Sequence, residues 1–278
     1  MFGRRSDGRR VKDVKFIQAF EPFVIRTRTE AQVYIKTEME IDGTLAYLER
    51  LNAGREIPIT FFQAFLAAGV RMMAKYPELN RFISGRRIFQ RKDIVFSFGV
   101  KKAMTEDAFL TIAKVVFAPD DNFISAAESV GRAIGARRKD GFSSEEKGMM
   151  IILRMPRLLT IPLMRAGVWL DRAGLYPKAL MVTDPLFASV FFANLGSLGM
   201  GAAYHHLYNW GNVSMFIALG EIRKSPVPNG DGHSAFRNVV DVTFTIDRRI
   251  TDGFTIARAL REFAECIRNP EKLETGPA

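Results

Sequence analysis

The residues of this chain able to do chemistry gather in three short stretches. Tyr204-His205-His206-Leu207-Tyr208 holds two of the three histidines. Imidazole is the side chain suited to proton transfer near neutral pH. Neighbours on a strand point to opposite faces, so both rings reach one site only from a loop. Without acidic or cysteine companions the pair is poor material for zinc, and no metal site is expected. Asn194-Leu195-Gly196-Ser197-Leu198-Gly199 is a glycine-rich turn. Glycine lets backbone N–H groups approach a phosphate closely, which makes Asn194, Gly196 and Ser197 candidate cofactor contacts. The plainer reading is a tight turn at a strand end, and the dinucleotide fingerprint does not fit. The third stretch is Asp247-Arg248-Arg249-Ile250-Thr251-Asp252-Gly253. A guanidinium offers five donors and no acceptor, so Arg248 can hold an anion but cannot take up a proton.

Other polar features are plainer. Pro119-Asp120-Asp121-Asn122 is acidic but lacks the spacing of a calcium loop. It reads as a turn that caps a helix starting near Phe123. Cys266, the single cysteine, reads as a buried structural thiol.

The elements that must position these residues follow from periodicity. Val33, Ile35, Thr37, Met39 and Ile41 alternate with polar neighbours, which predicts a half-buried strand. A short helix is expected over 44–51. Phe62, Phe65, Leu66, Gly69, Val70 and Met73 recur at helical spacing between Pro58 and Pro77. Strands are expected near 82–90, 94–102 and 109–117, then a helix near 123–137. The segment 144–176 reads as a helical pair broken by Pro156 and Pro162. A strand over 187–195 leads into the glycine turn, and another runs over 213–221. Pro226, Pro228, Gly230 and Gly232 read as a turn before a strand carrying Val240, Val242, Phe244 and Ile246. A helix follows Gly253. Strands and helices mix without βαβ alternation, so an α+β sandwich is expected.

Composition sets the limits. The chain has 278 residues, 47 % hydrophobic and 25 % charged, with a net charge of +10. That is a globular balance whose basic surface draws anions. Nucleic acid is not expected as a partner. One cysteine excludes an internal disulfide and fits a reducing cytoplasmic setting. Arg4, Arg5, Arg9, Arg10, Lys12 and Lys15 suggest a basic flexible arm over residues 1–19. No apolar stretch follows it, so no secretory signal is read. The greasy segment from Met149 to Leu170 is too interrupted for a span of about twenty apolar residues. Arg154, Arg165 and Arg172 fall on one side of it, an amphipathic pattern. Packing on the domain's own core is expected; peripheral membrane contact is the alternative.

Three blocks, in order, resemble the catalytic domain of the dihydrolipoamide acyltransferases of 2-oxoacid dehydrogenase complexes. The first runs from Ile59 to Val100 and contains Tyr76-Pro77-Glu78-Leu79-Asn80. The second is Phe191-Phe192-Ala193-Asn194-Leu195-Gly196, similar to the family's T-I-S-N-L-G. The third is Asp247 to Gly253, similar to D-H-R-x-x-D-G. The resemblance implies a chloramphenicol acetyltransferase-like two-layer sandwich, with helices packed on a mixed sheet, over residues 20–275. Residues 144–180 would be a helical insertion. It also implies a homotrimer with sites at subunit interfaces and coenzyme A or acyl-CoA as substrate. No lipoyl lysine motif or linker is read here, so a lipoyl-bearing partner would act in trans.

The departures bear on activity. By resemblance the motif histidine deprotonates the attacking thiol, and Arg248 stands at its position. A serine or threonine hydroxyl faces the oxyanion, and Ala193 stands there. Losing one oxyanion donor costs about 10²–10³ in rate, and losing the base about 10²–10⁴. Asp252 and Gly253 match the family, and Asp252 is expected to pair with an arginine, Arg248 included. Three readings follow. One is a stand-alone acyltransferase-family protein with altered or lost chemistry, in which Arg248 holds an anion. Another is an active enzyme using His205 or His206 as base. The third is a non-catalytic trimeric scaffold or membrane-surface protein.

Overall fold

Val240, Val242, Phe244 and Ile246 all lie in one buried face of a strand, as their alternation predicts. The surrounding structure, a computed structural model, describes residues 5–102, 110–138, 144–228 and 232–274. In chain order its elements are β1 (Gly8–Arg10), α1 (Phe16–Val24), α2 (Arg28–Ala31), β2 (Gln32–Glu40), α3 (Asp42–Asn52) and α4 (Phe61–Lys75). Next come β3 (Arg81–Ser84), β4 (Arg87–Arg91), β5 (Ile94–Lys101), β6 (Leu110–Phe117) and α5 (Phe123–Arg138). Then follow α6 (Ser144–Arg154), α7 (Arg157–Ala173), α8 (Lys178–Thr183), β7 (Val190–Asn194), β8 (Met215–Pro228), β9 (Ser234–Asp247) and α9 (Gly253–Arg268).

Six strands form the main sheet in the order β2-β9-β8-β7-β5-β6. The β5–β7 and β7–β8 pairs are parallel and the rest antiparallel, so the sheet is mixed. Helices α3, α4, α5 and α9 cover one face and share a single core with it. Phe65 of α4 meets Phe192 of β7 and Phe263 of α9 edge-on, at 6.3 and 5.0 Å between ring centroids. The sequence starts α4 clearly: Thr60 and Gln63 form a reciprocal capping box. A small second sheet has the order β1-β4-β3.

Four expectations change. The single strand near 82–90 is a hairpin, because Gly85 and Arg86 both have positive φ, of 55° and 61°. Two such residues in a row make the turn whose twist suits a tight hairpin. The turn expected over Pro226, Pro228, Gly230 and Gly232 is strand at its two prolines, since Pro226 pairs with Phe236 and Pro228 with Ser234; Gly230 lies outside the described residues. Beyond Leu219, β8 has left β7 and keeps one open edge, where proline is tolerated. The basic arm is partly structural: Arg5 is buried against Asp7 and Asp171, and β1 pairs with β4. Finally, the greasy helices do not bury a face in the core. No residue of α7 is fully buried, and Leu158, Leu159 and Trp169 are exposed. No helix among the described residues is long and apolar enough to cross a membrane.

Candidate functional site

Strand β9 delivers the motif at its end. Asp247 and Arg249 are buried and bound to each other twice, Arg249 Nε to Oδ1 at 2.8 Å and Nη2 to Oδ2 at 2.6 Å. Arg249 Nη1 also donates to the Ile25 carbonyl at 2.9 Å. These two residues therefore fix the turn rather than face a substrate. Arg248, between them in sequence, points outward. Its Nη2 donates to Glu21 Oε1 of α1 at 2.7 Å, with the side chain 51 % exposed.

Asp252 caps α9, accepting from the Thr255 backbone N–H at 2.9 Å. Its other oxygen accepts from Lys15 Nζ at 3.0 Å. The Thr255 bond first, then Lys15, hold its carboxyl down at about 2. The expected pairing of Asp252 with an arginine is thus replaced by a lysine, because α1 and the residue before it reach over the motif.

Ala193 sits elsewhere. In the sheet register it lies beside Ala218, which lies beside Thr243. Arg248 comes five residues after Thr243, about 16 Å at strand rise. Within one chain these two motif positions do not share a site.

An imidazole does lie on Ala193's face of the sheet. Phe191 and Ala193 pack with Leu207, Phe216 and Ala218 in a small apolar cluster. The His205 ring stacks on Phe216 with centroids 3.8 Å apart. His205 Nδ1 is 2.7 Å from the His206 carbonyl oxygen. A carbonyl only accepts, so Nδ1 carries the hydrogen and Nε2 keeps its lone pair. Burial, the largest cause, lowers the His205 pKa. The loop is fixed by Thr245 Oγ1, which donates to the His205 carbonyl at 2.6 Å. His206 is exposed. His233 is exposed too and lies on the hairpin arm of β8 and β9.

The glycine turn is tight, and it also lines a groove. Asn194 Oδ1 accepts from Ser197 N–H at 3.3 Å, and Ser197 Oγ donates to the Asn194 carbonyl at 2.7 Å. A side chain at Gly196 would put Cβ 2.3 Å from the Gly220 carbonyl oxygen. Asn194, Gly196 and Ser197 form one wall of a groove of about 1260 Å³. The first turn of α4 and a basic side of α5, Arg132 and Arg138, form another, with Arg55 nearby. Arg55 is held by Glu128 at 2.6 Å. Glu56, Glu128 and Glu221 line the groove too, and Arg132 lies 3.9 Å from Glu128. The N-terminus of α4 and Arg138 are the part of it that suits a phosphorylated ligand.

Among the described residues no group of His, Cys, Asp and Glu could hold a metal ion. Asn122 caps α5 through the Ser125 N–H at 2.8 Å, and Cys266 is a buried free thiol, as the sequence suggests. Sequence reasoning missed Glu21 and Lys15, whose partners lie 227 and 237 residues away. No local signal marks such pairs.

Residues 188–275 match the family model 2-oxoacid dehydrogenases acyltransferase (catalytic domain). Over 242 residues the chain is 23 % identical to the lipoamide acyltransferase component of the branched-chain alpha-keto acid dehydrogenase complex of Bacillus subtilis (strain 168). That alignment covers 84 % of this chain and 46 % of that protein, so the chain spans about half the length of its curated relative. A probable dihydrolipoamide acetyltransferase from Listeria monocytogenes 4b F2365 superposes with a TM-score of 0.62 at 15 % identity, covering 96 % of this chain and 98 % of that one. A chloramphenicol acetyltransferase superposes with a TM-score of 0.55 at 16 % identity, covering 94 % and 98 %. The fold is therefore the chloramphenicol acetyltransferase-like α+β sandwich. The resemblance read from the three motif blocks is to the acyltransferase catalytic domain that the family model describes.

Proposed function

We propose that this chain is an acyltransferase-fold protein that binds a coenzyme A thioester and has given up proton transfer at the second motif position. The observation that carries the reading is the Arg248–Glu21 ion pair. A cation held by a carboxylate stands where the resemblance calls for an imidazole, and it has no lone pair to offer. Acyl-CoA enters as substrate, its phosphates drawn to Arg138 and the N-terminal turn of α4 in the large groove.

The separation of Ala193 from Arg248 favours a homotrimer, in which one copy's motif end meets a neighbour's glycine turn. An acyl acceptor thiol would come from a lipoyl-bearing partner in trans, in a reducing cytoplasmic setting.

A second reading has its own support in the His205 tautomer. Nε2 would take the proton from the acceptor thiol, and the thiolate would attack the thioester carbonyl. The tetrahedral intermediate would expel coenzyme A thiolate, which takes the proton back. Ala193 gives the developing oxyanion no hydroxyl, so the rate would be low.

Thermal-shift titration with acetyl-CoA and branched acyl-CoA compounds, alongside transfer to dihydrolipoamide, tests both. Binding without turnover supports the first reading, and turnover abolished in His205→Ala the second. Trimers that ignore every acyl-CoA would reject both and leave a scaffold.

A further inference from the structure

A second cavity, of about 1040 Å³, lies under α7 between α2, the β3–β4 hairpin and the loop before β8. Six arginines line it, against one carboxylate, Asp171. Asp171 is already engaged by Arg5 at 2.8 Å and by Ser84 Oγ at 3.1 Å. Arg249 is neutralised by Asp247. That leaves Arg26, Arg28, Arg86, Arg165 and Arg172, none of which forms an ion pair among the described residues.

Arg28 is the most telling. It is buried, 7 % exposed, and its Nε has no partner. Its other nitrogens reach only the carbonyls of Ile83, Tyr208 and Asn209, at 3.1 to 3.4 Å. Burial pushes its pKa down to about 10. Asp247 and Asp171 act on it only from beyond ion-pair distance, and a buried cation without a direct ion pair is costly, which a fold offsets by pairing or by ligand.

The rest of the cavity is aromatic. Tyr176 stacks on Phe187 with centroids 5.1 Å apart and meets Trp210 edge-on. Trp169 completes the wall from α7, and Trp210 is fixed by donating to Asp184 Oδ2 at 2.6 Å. Gly167 lets α7 approach so closely that a Cβ there would lie 2.7 Å from the Trp210 ring.

We infer that this cavity binds an oxyanion, a carboxylate or phosphate, carried on an apolar body. Arg28 receives the anionic end, Arg165 and Arg172 close over it from α7, and the aromatic wall takes the hydrocarbon. This assignment does not rest on acyl transfer in the other groove.

The test is direct, because both tryptophans of the chain, Trp169 and Trp210, line the cavity. Their fluorescence is titrated with octanoate, octyl phosphate, neutral octanol and inorganic phosphate. The expected result is a saturable change with the octyl anions and none with octanol at equal concentration. The tighter of the two anions names the headgroup. The solvent-exposed pair Arg165→Ala/Arg172→Ala should weaken binding about tenfold without loss of fold. Arg28→Met should abolish it in folded protein. Octanol binding as well as the anions, or full affinity in the α7 double variant, would overturn the assignment. Inorganic phosphate matching octyl phosphate would overturn its apolar half. A response to phosphatidylglycerol vesicles with none to octyl phosphate would replace the cavity by a membrane surface.

Discussion

Arg248 Nη2 and Glu21 Oε1 lie 2.7 Å apart across 227 residues of sequence. The contact ties α1 to the turn after β9 and gives the guanidinium an occupation that has nothing to do with proton transfer. A half-exposed pair of this kind is worth about 0.2–1 kcal/mol. Glu21→Gln should therefore lower Tm by no more than a few degrees in a thermal melt. A loss of 10 °C or more would mean that the pair organises the fold.

Asp252 makes a pH-dependent contribution. Its folded-state pKa, about 2, lies below the unfolded value, which is about 3.9. The stabilisation is thus fully present above pH ~4 and is lost as pH falls toward ~2. A carboxyl titration followed by NMR should show that low midpoint, and Lys15→Ala should raise it. Asp252→Ala should cost about 1 kcal/mol through the lost cap of α9.

Asp247 and Arg249 should behave in the opposite way to the exposed pair. Removing one partner strands a buried charge, at about 3–5 kcal/mol. Urea denaturation of Asp247→Asn should show a loss of that order. The double variant Asp247→Leu/Arg249→Met should be less unstable than either single change. If the single changes were neutral, the turn would owe nothing to the pair.

His205 carries a further expectation. Its depressed pKa keeps the ring neutral at neutral pH, so any transfer rate it supports should hold above the ordinary histidine range. The rate should fall only on the acid side of that range. His206→Ala should leave the transfer rate in place and move the profile back toward the ordinary histidine range, since His206 stacks on the His205 ring at 4.7 Å and its charge helps to lower the His205 pKa.

Gly196 should tolerate no side chain, since a Cβ would lie 2.3 Å from the Gly220 carbonyl oxygen. Gly196→Ala should weaken acyl-CoA binding about tenfold or more in calorimetry by displacing Asn194 and Ser197. Gly201→Ala is the control, since its φ is not positive and nothing lies within 4 Å of a Cβ there.

The sandwich and its site were legible where the signal is local. Alternation in 240–246, helical spacing in 62–73 and the capping Asn122 each appear as read. The three motif blocks placed the turn of β7 and the end of β9 correctly in the chain. What sequence could not show is which groups meet at a distance. Lys15 reaching Asp252, and Arg5 reaching Asp171, depend on α1 and α7 folding back over the sheet. Nor does spacing reveal that Ala193 of β7 and Arg248, just past the end of β9, fall at different levels of the sheet. That follows from strand register, which pairs residue 193 with 218 and 218 with 243. The hairpin arm was hidden by Pro226 and Pro228, which suggest a turn unless the open edge is known.

The most direct test is the initial rate of acyl transfer from acetyl-CoA to dihydrolipoamide, compared in the unmodified protein, His205→Ala and Arg248→Lys. If position 248 no longer handles protons, the unmodified protein binds acetyl-CoA and either transfers nothing or transfers at a rate that His205→Ala reduces about 10²-fold or more. A rate that survives His205→Ala and vanishes in Arg248→Lys would contradict the account.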